Sequence, residues 1–228
     1  LKGLIQHEKY NYREAQQIFN KIVEEYKKSD TIERTRLYLG DSLKNLGEYS
    51  NALDSLRKVS YDDFSISEKL ALFRLLFTCY INTGDPKKAI FWIMKERSES
   101  PDSANRQIID KTIYDIIENK LSINELNSIL QIFKKKYPGD LILFKLIRLY
   151  DQKNQYKETL SMIDDYKATF PKGSKIDGIL AIENNINKLK KINSGRIGIL
   201  LPLSGEYEKF GGSVLKGIIL ASQLLTKS

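Results

Sequence analysis

The sequence predicts a mainly α protein: a solenoid of about five helix pairs, followed by the first β-α unit of a truncated doubly wound α/β domain. Three observations predict it. Ala15, Ala52 and Ala89 recur at intervals of 37 residues, each at the same place in a two-helix pattern. Pro101, Pro138 and Pro171 each stand twelve residues after the equivalent position of their own unit, which holds Ala89, Leu126 and Thr159. After Gly195 the pattern changes, and a continuous apolar run replaces helical periodicity.

The second unit shows the pattern best: Leu39-Gly40-x-x-Leu43, then Gly47-Glu48-Tyr49, then Ala52-x-x-x-Leu56. This resembles the tetratricopeptide (TPR) repeat, departing from it at Leu43 and Leu56, where that pattern has Tyr and Phe. Leu39, Leu43 and Leu46 fall on one helical face, and Ala52, Leu53, Leu56 and Val59 on another. Gly40 and Ala52 are small where two antiparallel helices approach. Gly47 closes the first helix, because glycine enters the left-handed region without penalty.

The first unit runs from Gly3 to Tyr26, with Asn11-Tyr-Arg-Glu14 read as a capping box. The third runs from about Glu68 to Pro101, and in it Gly84-Asp85-Pro86 ends one helix and starts the next. In the fourth, Leu126 replaces the alanine and Ser122-Ile-Asn-Glu125 is the capping box; the fifth keeps Tyr150 and Pro171 around Thr159. These units assign residues 1–172 to the TPR-like solenoid. Residues 173–194 are read as a capping helix and linker. Lys172-Gly173-Ser174-Lys175 is a polar break that lacks the rest of a phosphate loop. A helix over 176–192 carries Ile179, Ile182, Ile186 and Leu189 on one stripe and would close the open end of the stack; Asn193-Ser194-Gly195 is a turn.

Residues 195–228 are read as one strand and one helix. Arg196 to Leu201 reads as a parallel strand buried on both faces, Pro202-Leu203-Ser204-Gly205 as a turn, and Tyr207 to about Thr226 as a helix. Gly198 and Gly217 are placed where strand and helix approach. The segment has no neighbouring strands in this chain, so the helix is expected to form and the strand to stay unpaired. The chain starts at Leu1, inside a unit, and reads as a fragment whose start is missing.

Hydrophobic residues make up 41% of the chain and charged residues 29%, the balance of a globular domain. The longest apolar run, Ile197 to Leu203, is too short to span a bilayer. A net charge of +8 raises the question of nucleic acid, but the lysine clusters are spread along helices beside acidic residues, as on solvated faces. The single cysteine, Cys79, excludes an internal disulfide and lies in an apolar run, as a buried small hydrophobe does. No catalytic set, metal site or cofactor motif stands out. His7 is the one histidine and has no partner in the sequence pattern; Asp62-Asp63 and Asp164-Asp165 are helix neighbours that point apart. Phe73, Phe77, Tyr80, Phe91 and Trp92 read as inter-helix core.

Ile197-Gly-Ile-Leu-Leu-Pro-Leu-Ser-Gly205, then Phe210-Gly211 and Leu215-Lys-Gly217, resembles the opening of the type I periplasmic binding proteins, the leucine/isoleucine/valine receptor family. A TPR-like solenoid directly before such a domain is similar to the arrangement of the penicillin-binding protein activators, LpoA-type outer-membrane lipoproteins. That resemblance implies a non-enzymatic, exported, periplasmic protein anchored to the outer membrane by a lipid outside this segment. It implies action through contacts with a bifunctional peptidoglycan synthase. The receptor resemblance implies that Ser204, Gly205 and Phe210 help hold a small amino acid in the complete domain; a plain tight turn at Ser204-Gly205 is the equal alternative. Two other readings stay open: an amino-acid receptor of a transport or sensing system, and a cytoplasmic TPR adaptor.

The TPR positions that line a concave groove fall here on Arg34, Leu37, Asp41, Lys44, Arg74, Thr78, Lys111, Asp115, Phe144, Arg148 and Asp151. They mix both signs and do not reproduce the Lys/Asn/Arg clamp of chaperone-binding TPR proteins, since Asp41 and Leu37 stand where the clamp needs Asn and Lys. A chaperone adaptor is disfavoured.

Overall fold

The architecture is that of a computed structural model, which describes residues 1–191 and 198–225. The described residues are helical throughout their regular structure and contain no strand. Ten helices form five consecutive pairs: α1 (Lys2–Glu8) with α2 (Tyr12–Glu25), α3 (Ile32–Asn45) with α4 (Tyr49–Leu56), α5 (Ile66–Asn82) with α6 (Pro86–Glu99), α7 (Ser103–Asn119) with α8 (Ile123–Phe133), and α9 (Gly139–Gln152) with α10 (Tyr156–Thr169). Four of the pairs are close hairpins; α7 and α8 barely touch each other, and both pack on α9. Two single helices follow, α11 (Ile176–Lys191) and α12 (Glu208–Leu225). None of these helices is long and apolar enough to cross a membrane. The chain divides into two compact units, Leu1–Glu183 and Asn184–Ser228.

In the first unit the recurring alanines do what their size permits. Ala15, Ala52 and Ala89 are all fully buried, as is Thr159 at the same place in the fifth hairpin. A Cβ on Gly40 would run into the Leu56 side chain, and one on Gly3 would come within 2.6 Å of the Phe19 ring, so each glycine lets α1 and α2, or α3 and α4, close up. Three successive apolar clusters fill the stack. The first gathers Phe19, Leu43, Leu56, Phe73 and Leu76, the second Ile93, Ile113, Leu126 and Leu146, the third Leu143, Ile147, Ile163, Tyr166 and Ile179, with Ile182 against it. Cys79 is fully buried, and burial pushes its thiol up to about 11. Of the five clustered aromatics, Phe73 and Tyr80 are core, Phe77 and Trp92 are half-buried, and Phe91 is exposed.

Four of the five turns within pairs share one backbone solution, the α7–α8 turn at Lys120 being the exception. Gly47 and Gly84 both sit at φ 77°, in the left-handed region, and the next residue donates five positions back, Glu48 to the Leu43 carbonyl and Asp85 to the Tyr80 carbonyl. Tyr10 (φ 62°) and Asn154 (φ 56°) hold the equivalent turns of the first and fifth hairpins, with Asn11 donating to the Gln6 carbonyl and Gln155 to the Tyr150 carbonyl. Asp85 caps α6 by accepting from the Lys88 N–H at 3.0 Å, with Pro86 at the first helical position. The Ser122–Glu125 capping box is formed. So is one at Ser65–Glu68, at the start of α5, which the sequence reading passed over. The Asn11–Glu14 box is not: the Asn11 side chain makes no capping bond and instead donates to Gln6 Oε1 at 2.8 Å. Asn11 reaches back across its own turn, which removes its amide from α2.

In the second unit, α12 agrees with the expected helix, Thr226 lying outside the described residues. The turn at 193–195, with Arg196 and Ile197, also lies outside them. Residues 198–203 carry no ladder, and Leu200 is entirely exposed. A strand needs a partner distant in sequence, whereas helix hydrogen bonds close locally. The small residue that matters here is not Gly198 or Gly217, which have open space around the Cβ position, but Gly211, where a Cβ would collide with the Pro202 carbonyl.

Candidate functional site

The first helices of hairpins pack on one another, α1 on α3 and α3 on α5. Between α3 and α5 this leaves a groove of about 460 Å³, the size of an ordinary ligand or side-chain pocket. Its floor is apolar, made by Leu37, Tyr38, Ala71 and Leu75, and its walls carry Asp41, Lys44, Ser67, Glu68 and Arg74. Leu37 and Leu75 are largely buried beneath it, while Ala71 is exposed and Tyr38 is 37% exposed. The helical spacing explains this: Leu37 and Asp41, or Ala71, Arg74 and Leu75, share one face of their helix.

The wall charges are nearly all committed to one another. Arg34 Nε donates to Glu68 Oε1 at 2.6 Å, joining α3 to α5 at the rim. Glu68 also accepts from the Ser65 backbone and hydroxyl; the Arg34 guanidinium and these bonds hold its carboxyl well below the usual range, at about 2. His7 Nε2 lies 2.8 Å from Asp41 Oδ2, tying α1 to α3, and Lys44 Nζ is 3.0 Å from Asp41 Oδ1. The His7 ring meets Tyr12 and Tyr38 edge-on. Arg74 forms a forked ion pair with Glu96 of α6, a residue only 2% exposed, and this pairing raises the arginine further. A groove so neutralised has no free fork for a phosphate or carboxylate. It can take up the apolar side chains of a peptide segment and flank them with polar partners.

Of the residues expected to line a groove, Leu37, Asp41, Lys44 and Arg74 meet here, with Arg34 at the rim. Thr78 lies a turn further along α5 and donates to the Arg74 carbonyl. Lys111 and Asp115 are exposed on α7. On α9, Phe144 packs into the third apolar cluster, Arg148 stacks over Phe144 and pairs with Glu118 of α7 at 3.1 Å, and Asp151 is half-buried. The lining of this groove comes from α3 and α5, and none of it from α7 or α9. Tyr38, Ser67, Glu68, Ala71 and Leu75 went unread; the Ser65-x-x-Glu68 capping signature was the one available signal, since it fixes where α5 begins. In the second unit, Gly205 takes φ 81° and its carbonyl accepts from the Glu208 N–H, a tight turn into α12. Ser204 is exposed and Phe210 is 73% exposed. No group of three or more metal-binding side chains occurs among the described residues.

Fold and groove together define a helical-hairpin repeat protein. Among solved structures, the chain is similar to full-length LpoA from Haemophilus influenzae, at 12% sequence identity and a TM-score of 0.37. The similarity covers 89% of this chain and 44% of that one, so this chain spans less than half of that protein's length. No protein-family model matches the chain, and no curated protein does.

Proposed function

We propose that this chain is a non-enzymatic scaffold that docks a segment of a protein partner in the groove between α3 and α5. The observation that carries the reading is the groove's make-up: an apolar floor inside walls whose cations and carboxylates already satisfy each other. Such a surface gains from burying apolar side chains and does not need charge on the ligand. The partner class we infer is a bifunctional peptidoglycan synthase, which the chain would activate in the periplasm, held at the outer membrane by a lipid anchor. Support for that part comes from the sequence, where a TPR-like solenoid precedes the Ile197–Gly217 pattern of the receptor family, the order found in penicillin-binding protein activators.

The test is a titration of the purified chain into such a synthase from the same cell, read by interferometry and by glycan-strand synthesis. Ala71→Arg places a long side chain in the groove from an exposed position and so spares the core. The reading expects saturable binding, faster synthesis, and at least a tenfold loss of affinity in Ala71→Arg. Binding unaffected by Ala71→Arg would remove the groove from the account, and absence of binding would remove the synthase.

A further inference from the structure

We propose that the edge of the Leu1–Glu183 unit formed by the α8–α9 and α10–α11 turns is a membrane-contact face that engages anionic lipid headgroups. Lys134, Lys135 and Lys136 follow α8 directly, and all three are exposed. Lys172 and Lys175 belong to the α10–α11 turn, the first exposed and the second half-exposed. Two contacts bring the turns together. Ser174 Oγ donates to Asp140 Oδ2 at 3.3 Å, and the Phe170 ring lies where a Cβ on Gly139 would approach it to 3.2 Å. Five lysines thus belong to two adjoining turns.

The carboxylates at this edge are outnumbered. Asp140 is half-buried and accepts from Ser174, Asp177 is exposed on the first turn of α11, and Asp110 is held by Arg97 at 2.5 and 3.1 Å. The nearby cations Arg97, Lys145 and Lys167 are all ion-paired, whereas none of the five lysines is, among the described residues. Lys175 instead lies 5.3 Å from the Tyr114 ring.

The kind of cation selects the kind of partner. Lysine ammoniums are mobile point charges, suited to a diffuse anionic layer. Of the two arginines here, Arg97 is spent on Asp110 and the Tyr137 ring at 4.4 Å, and Arg106 turns Nη1 to the Ser100 carbonyl at 3.2 Å. The Arg97 fork is not open to a single phosphate. Nor is there a stacking platform for bases, since Tyr137 is half-buried and Tyr114 lies under Lys175. Apolar groups flank the lysines instead. Ile132 is 60% exposed two residues before the run, and Pro171 is exposed beside Lys172. Exposed aliphatic side chains among lysines are the combination that partitions into a headgroup layer.

The experiment is co-sedimentation of the chain with vesicles of phosphatidylcholine alone or with one-third phosphatidylglycerol, at low and high salt. The expected result is binding to the anionic vesicles alone, abolished by high salt. Lys134→Gln/Lys135→Gln/Lys136→Gln, with its helical content checked by circular dichroism, should lower that binding on the order of a hundredfold. Helix α12 also exposes apolar residues, Val214, Ile219 and Leu220 among them, and the triple variant leaves them untouched. Vesicle binding that survives the triple substitution, or that is equal on neutral vesicles, overturns the proposal. So does salt-sensitive binding to a duplex oligonucleotide without binding to anionic vesicles.

Discussion

Tyr10 occupies the turn position that Gly47 and Gly84 fill one and two hairpins later, and like them it is left-handed. A side chain with a Cβ is strained there, whereas glycine is not. Its ring is 77% exposed, so little packing is lost on removing it. Tyr10→Gly is accordingly expected to raise stability by up to about 1 kcal/mol in urea unfolding. The buried alanines give the opposite case. Ala52→Leu forces extra methylenes against α3 and is expected to cost about 1–3 kcal/mol; an unchanged midpoint would show that Ala52 does not mark the hairpin contact. Both positions bear on what the sequence discloses. The alanines at 15, 52 and 89, and the glycines at 47 and 84, state their geometry through size and backbone freedom. Tyr10 does not, because nothing in its chemistry favours that turn, and Asn11 misleads, because its amide has a rival partner in Gln6.

Helix ends were the most legible elements. Ser122 with Glu125 and Asp85 with Pro86 satisfy orphan N–H groups by bonds within four residues, which spacing alone can reveal. Glu68 does more, since it completes the cap of α5 and also holds Arg34 of α3. That second role joins residues 34 positions apart and cannot be read from a local pattern. It carries a pH signature. Glu68 has a folded value near 2 against 4.5 unfolded, so its stabilisation is complete above pH 4.5 and is lost as pH falls towards 2. Thermal unfolding over that window should show a falling midpoint in the native chain and a shallower fall in Glu68→Gln. Equal slopes would mean that folding does not stabilise the Glu68 carboxylate through Arg34 and Ser65. The segment from Gly198 to Leu203 marks the opposite limit: its apolar run announces a strand, but a strand forms only where partner strands stand beside it.

At the scale of the whole molecule, the 37-residue spacing placed the second helices of the first four pairs, whereas Thr159 of the fifth follows Leu126 by 33 residues. The order is that of a stack in which each pair buries its apolar face against the next. The groove was less legible. The expected lining ran along α3, α5, α7 and α9 together, whereas the groove is lined from α3 and α5, and Arg148 and Lys145 of α9 pair with Glu118 of α7. Near the C-terminus, Ser204 and Phe210 are exposed to solvent. Calorimetry of this 228-residue chain with millimolar leucine should therefore give no saturable heat, and a micromolar isotherm would relocate small-molecule binding to the hairpins. The central claim, that a protein partner is held between α3 and α5, is tested most directly by hydrogen exchange of the chain alone and with a saturating bifunctional peptidoglycan synthase. The account predicts slowed exchange confined to amides of α3 and of the first half of α5, and lost in Ala71→Arg. Protection elsewhere in the chain, with those two helices unchanged, would contradict it.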